Sequence, residues 1–228
     1  MKVLNLYAGI GGNRKLWKDV EVTAVEKDPE IAKIYQEFFP DDNVVVGDAH
    51  QYLLDHYKEF DFIWSSPPCP THSVLEFSHP LKRYPDMNLY QEIIFLKHWF
   101  KGKWVVENVK PYYEPLIKPQ EAGRHYFWSN FNILNIKIDY QIGTMNRKAS
   151  ELSRRKAIIR EAQIPELTDL HGLKHFKCKN KRQVLRNCVI PRLGLHVFRC
   201  AFNEVQIGLG TYNEGSMKLD STSSKEGL

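Results

Sequence analysis

The sequence predicts an α/β fold, a parallel β-sheet covered by helices on both faces. Three observations carry this expectation. Short apolar, β-branched runs recur through the first half of the chain. Stretches with helical periodicity separate them, and turn residues punctuate the junctions. Strand–helix alternation favours parallel pairing, because parallel neighbours need a crossover between them. In such sheets ligands bind outside the carboxyl ends of the strands.

Taken in order, VLNLY is a strand and GNRKLWKD is expected to open a helix. VEVTAVE is the second strand, followed by a helix over PEIAKIYQEFF with Pro29 in its first turn. NVVVGD is a third strand and HQYLLDHYKEF a helix. DFIWSS is a fourth strand, NLYQEIIFLKHWF an amphipathic helix and KWVVENV a fifth strand. After Asn108 the alternation loosens. HYFWSNFNILNIKI is expected to add strands, and Asn146 to Lys181 to be helical and loop-like. PRLGLHVFRCAFNEVQ closes the pattern as an apolar helix, and the polar, Ser-rich tail from Gly215 is expected to be disordered.

Composition narrows the function classes. No apolar run approaches the roughly 18–20 residues that span a bilayer, so no membrane role is expected. MKVLNLYAGIGG runs from one Lys into a glycine turn, as a first strand does and a signal peptide does not. Four scattered cysteines fit free thiols in a reducing, cytoplasmic setting. His171, His175, Cys178 and Cys188 lack paired CxxC spacing, so no metal is expected. Between Lys137 and Arg186 stand 13 Lys and Arg against 5 Asp and Glu, a net +8 on a chain whose total is +5. A basic segment on an otherwise slightly acidic body suits a polyanion such as nucleic acid, and equally a solvated, charge-rich helix.

Three motifs sit at predicted strand ends. YAGIGGN places Gly9, Gly11 and Gly12 after the first strand, where glycine lets backbone approach a ligand closely. Glu26 ends the second strand, where an acid can accept from ribose hydroxyls. Asp48 ends the third, beside an adenine site, or caps the helix that follows. SSPPCPTHS follows the fourth strand, and Pro67 and Pro68 stiffen the exit and fix the direction of Cys69. A thiol is intrinsically nucleophilic, and a helix N-terminus or a cation nearby would lower its pKa. VVENVK ends the fifth strand with Glu107 beside Cys69, where a largely buried carboxyl can hold or share a proton.

These motifs, in this order, resemble the 5-cytosine DNA methyltransferases. YAGIGG resembles the cofactor turn, Glu26 the ribose acid and Asp48 the adenine acid. PPCPTHS resembles the nucleophile loop, ENV the glutamate motif, and KPQEAGRHYFWSN the arginine motif with Arg124. RQVLRNCV resembles a late RQxGNxV element. The resemblance spans about residues 1–205 and implies a Rossmann-like S-adenosylmethionine-dependent methyltransferase fold. It implies S-adenosyl-L-methionine held by Tyr7, Gly9, Ile10, Gly11, Gly12, Glu26, Lys27, Asp48, Ala49, Pro68 and Asn187. It also implies catalysis by Cys69, Glu107 and Arg124. In the implied reaction Cys69 adds to carbon 6, Glu107 engages ring nitrogen 3, and carbon 5 takes the methyl group. Double-stranded DNA is the implied partner, and flipping the base out of the duplex costs a few kcal/mol.

The sequence departs from the family pattern in three places. Pro70 stands where Gln is usual after PPC. The late motif carries Arg186, Cys188 and one extra residue after Gln183. The recognition region is short. The resulting division is a catalytic α/β domain at 1–130, a small basic recognition region at 131–181, a return to the catalytic domain at 182–210 and a tail at 211–228. A short or loose recognition sequence, a monomer and a separate restriction nuclease are the accompanying expectations. Three rival readings remain open. They are an RNA 5-cytosine methyltransferase, an exocyclic-amine methyltransferase (SPPC is one residue from SPPY) and an inactive DNA-binding regulator.

Overall fold

A computed structural model describes residues 1–73, 83–136, 138 and 163–202. Its strands are β1 (Lys2–Leu6), β2 (Glu21–Glu26), β3 (Asn43–Val46), β4 (Phe62–Ser65), β5 (Lys103–Val109), β6 (Gln120–Ala122) and β7 (His125–Ser129). They form one sheet in the order β3-β2-β1-β4-β5-β7-β6. The first five strands are mutually parallel, and β7 runs antiparallel to both β5 and β6. The expected α/β class is therefore observed, with an antiparallel pair added at one side.

Strand order reverses between β1 and β4, which opens a crevice at their carboxyl ends. Register sharpens this placement. Leu6 of β1 pairs with both Val25 and Ser65, and Ser65 pairs with Val106. Four strands thus share one row, on which β1 and β4 end while β2 and β5 run on. The residues one step beyond it, Glu26, Tyr7, Ser66 and Glu107, share a single edge of the sheet.

The helices are α1 (Pro29–Phe38), α2 (Ala49–His56), α3 (Asn88–Trp99), α4 (163–171), α5 (Lys181–Asn187) and α6 (Pro191–Ala201). Local chemistry starts several of them. Asp28 accepts from the Glu30 amide at 2.8 Å, Asp48 accepts from the Gln51 amide at 3.0 Å, and prolines open α1 and α6.

Strand alternation sends residues to two apolar layers. Val3, Val22, Phe62, Trp64 and Phe127 meet Trp17 and the Leu193, Val197 and Phe198 face of α6. Leu4, Leu6, Val25, Ile63 and Val106 meet Leu53 of α2 and the Leu89, Ile93 and Leu96 stripe of α3. A smaller cluster joins Ile10 and Ile34 to Leu167, Leu173, Phe176 and Leu185. Each such side chain contributes roughly 1.5–3 kcal/mol on burial. The described part of the basic segment is thereby anchored to α1 and the glycine turn.

Some expectations give way to packing. No α-helix follows the glycine turn, only a 3₁₀ turn at Arg14–Leu16. Asn13 is buried and donates to Asn5 Oδ1 at 2.8 Å, while Trp17 stacks on Phe198. These two anchors pull the chain flat onto the sheet. The helix after β3 stops at His56 and finishes as a 3₁₀ turn over Tyr57–Glu59. Residues 130–136, expected to continue as strand, carry none, and β6 was too short for its periodicity to signal. The closing helix ends at Ala201. The expectations for 203–228, most of 137–162 and the loop 74–82 lie outside the described residues. Among the described residues no helix is long and apolar enough to cross a membrane.

Candidate active site

The glycine turn is built by backbone and one carboxylate. Glu26 accepts from the amides of Gly9 and Asp28, each at 2.9 Å. The turn needs left-handed backbone, with φ of +55° at Tyr7, +54° at Gly9 and +80° at Gly11. Two of its glycines are required by space. A Cβ at Gly11 would lie 2.2 Å from the Phe39 ring, and one at Gly12 only 2.6 Å from the Val189 carbonyl and 2.7 Å from Cys188 Cβ. Gly9 differs, since nothing lies within 4 Å of the position its Cβ would take. Open space therefore adjoins Gly9, next to the Glu26 carboxylate, whose oxygens each keep a second lone pair for a hydroxyl donor. This donor set fits the ribose of an adenosine.

Around this turn, Ile10 is fully buried in the cluster with Leu185, and Ala49 is buried at the start of α2. Asp48 caps α2 and lies 3.9 Å from Lys27 across exposed surface. Asn187 is exposed at the end of α5, one residue before the Cys188 that packs on Gly12. Late motif and glycine turn are thus brought together, as the sequence order implied. Burial pushes the Cys188 thiol up to about 12, an unreactive state.

The nucleophile loop leaves β4 through buried Pro67 and exposed Pro68. Asn108, buried on β5, donates its side-chain amide to the Pro67 carbonyl at 2.9 Å. That bond ties the ENV strand to the PPC turn. The Cys69 carbonyl accepts from the amides of His72 and Ser73, at 3.0 and 3.1 Å, which closes a tight turn behind the thiol. Burial, and then the charge of Glu107, push the Cys69 thiol above its ordinary range.

Glu107 is 7% exposed, and His125 Nε2 lies 3.8 Å from its Oε1, an ion-pair distance too long for a hydrogen bond. Arg124 is exposed in the β6–β7 turn, beside Gly123 with φ +59°. Among the described residues no group of His, Cys, Asp and Glu could hold a metal ion. His171 is buried, and desolvation lowers its pKa to about 4.

A family model for C-5 cytosine-specific DNA methylases matches residues 1–116, just over half of the chain. The chain belongs to that family. This methylase is therefore an S-adenosylmethionine-dependent methyltransferase acting on cytosine. No curated protein matches it. Among solved structures, the Entamoeba histolytica methyltransferase EhMeth is 13% identical, with a TM-score of 0.54. That match covers 90% of the methylase chain and 98% of EhMeth, and it shows a shared fold. A mutant DNMT2 from Spodoptera frugiperda is 29% identical with a TM-score of 0.37. The match covers 48% of the methylase and 35% of DNMT2, so the chain spans about a third of that protein's length.

Sequence reasoning missed several polar residues of the methylase. Glu92 is the foremost. It lies within the buried Leu89, Ile93 and Leu96 stripe of α3, and a lone acid in an apolar stripe is the signal that could have found it. His125, Asn108 and the pair of His72 with Tyr113 (Nδ1 to hydroxyl, 2.6 Å) also went unread, because their partners are distant in sequence.

Proposed function

We propose that the chain methylates carbon 5 of cytosine in double-stranded DNA through a covalent Cys69 adduct. The observation that carries this reading is the shared strand row Val25–Leu6–Ser65–Val106. Its consequence is that the cofactor acid Glu26, the Cys69 loop and Glu107 occupy one edge of the sheet. S-adenosylmethionine, when bound, supplies an electrophilic methyl group. Tyr7, Gly9 to Gly12, Glu26, Lys27, Asp48, Ala49, Pro68 and Asn187 hold it.

Cys69 rests as a thiol, so its proton must leave as the S–C6 bond forms. In this reading the Glu107 carboxylate takes that proton and passes it to ring nitrogen 3, and its charge is already felt at the Cys69 thiol. The electron pair released by addition then builds up at carbon 5, which attacks the methyl group. A base removes the carbon 5 proton, elimination expels Cys69 as the thiolate, and the proton on ring nitrogen 3 returns through Glu107 to restore the thiol. Arg124, at the rim, contacts the flipped base or holds the adduct. The body comprises 1–130 and 182–210, the basic stretch 131–181 supplies phosphate contacts, 211–228 is a tail, and the chain acts as a monomer. The net +8 of residues 137–186 supports DNA as the partner.

A duplex carrying 5-fluorocytosine tests the chemistry, because fluorine cannot leave as a cation. With S-adenosylmethionine present, a denaturation-resistant adduct is expected, and Cys69→Ala should form none. Absence of the adduct from the wild type sinks the covalent mechanism and favours exocyclic-amine transfer. Labelled-methyl transfer to duplex DNA and to tRNA, run in parallel, separates the substrates. Activity on RNA alone overturns the DNA reading.

A further inference from the structure

At the crevice between β1 and β4 lies a carboxylate that neither the glycine turn nor the nucleophile loop contains. Glu92 of α3 is wholly buried. Its Oε1 accepts from the Tyr7 hydroxyl and its Oε2 from the Ser65 hydroxyl, and His50 Nδ1 of α2 lies 3.4 Å from Oε1. Three elements thus converge on one acid. Tyr7 is the first residue beyond β1, Ser65 the last of β4, and His50 follows the Asp48–Ala49 corner.

A buried carboxylate is tolerated only when its lone pairs are met. Two hydroxyl donors engage them here, and the His50 imidazole lies 3.4 Å away. The geometry has a direction as well. Tyr7 stands at φ +55°, a left-handed conformation unfavourable for a residue with a Cβ, and it begins the turn that presents the Gly9 amide to Glu26. Such a conformation persists when surrounding contacts over-determine it. The side-chain bond from Tyr7 to Glu92 anchors the start of the turn, and the Gly9–Glu26 bond anchors it two residues later.

We propose that Glu92 is a positioning residue for the methyl donor, acting through Tyr7 to hold the glycine turn in its binding conformation. This rests on the reading of that turn as the S-adenosylmethionine site. Glu92 is wholly enclosed by protein, so its effect belongs to cofactor affinity rather than to the chemical step.

Calorimetric titration of the full chain with S-adenosylhomocysteine provides the test. Tyr7→Phe removes one hydroxyl and keeps the ring, so the fold is expected to survive. The dissociation constant should rise about tenfold, equivalent to about 1.4 kcal/mol. Glu92→Gln should raise it at least as much, and the double variant should show no further loss. In methyl transfer, KM for S-adenosylmethionine should rise in Glu92→Gln while kcat at saturating donor stays near wild type. A purely structural role would lower the melting temperature and leave that KM–kcat split absent. Wild type that fails to bind S-adenosylhomocysteine overturns the cofactor reading and the clamp with it. Wild type that binds, with Tyr7→Phe binding equally well, overturns the clamp alone.

Discussion

Two buried carboxylates lie near the same sheet edge, and their surroundings differ. Glu92 is completely enclosed and accepts from two hydroxyls, with the His50 imidazole 3.4 Å away. Glu107 is nearly as buried, yet its close charged neighbour is His125 at 3.8 Å, beyond hydrogen-bond reach. A carboxylate whose lone pairs are filled by the protein serves as a fixed anchor. One whose lone pairs remain open is suited to exchange a proton with something that arrives. On the proposed reading, the Glu92 end holds the methyl donor's turn and the Glu107 end carries the chemistry.

The largest expected effect tests the chemical end itself. Cys69→Ala should reduce methyl transfer on the order of a thousandfold or more, because removing a covalent nucleophile removes the reaction path. Affinity for S-adenosylhomocysteine should be unchanged. A variant that retains transfer breaks the comparison outright.

Glu107→Gln should lower kcat by about a hundredfold, within the range for lost acid–base assistance. It should also lower the Cys69 pKa, since the Glu107 charge is one cause of its elevation. Alkylation of Cys69 against pH reads this directly, and the midpoint should move to lower pH. If Glu107→Gln instead weakens cofactor binding and spares kcat, the two ends have been assigned the wrong way round.

Gly12→Ala probes how firmly the holding end is packed. The new methyl group meets the Val189 carbonyl at 2.6 Å and Cys188 Cβ at 2.7 Å. A loss of about 1–3 kcal/mol in urea unfolding is expected from such overpacking. An unchanged urea midpoint would mean that α5 yields readily.

The smallest effect is electrostatic. Hydrogen bonding to Glu92 leads the causes that raise the His50 pKa. The raised value means that the protonated imidazole stabilises the fold fully below the ordinary histidine pKa of about 6.5. That contribution is lost as pH rises through the elevated value. His50 is partly exposed, so solvent screening keeps the contribution modest. NMR titration of His50 should show its pKa falling in Glu92→Gln, and an unmoved titration would detach His50 from the cluster.

Much of this was legible in the sequence because it is encoded locally. Short apolar runs separated by helical stretches determined the parallel α/β class. Residues adjacent in sequence placed Glu26 at the end of β2 and Cys69 in the turn after β4, whereas Glu107 lies inside β5, paired with Phe127 and two residues short of its end. Helix caps such as Asp28 were likewise local, since an N-cap bonds amides two or three residues away. The expected helix after the glycine turn failed for a non-local reason. Asn13 bonds to Asn5, and α6 comes so close that a Cβ on Gly194 would sit 2.4 Å from the Asn13 carbonyl. Tertiary structure alone decided that Glu92 meets Tyr7 across 85 positions of sequence, and that Asn108 holds Pro67 across 41. A buried polar group must find its partner in space, and no periodicity in the chain records which partner that is.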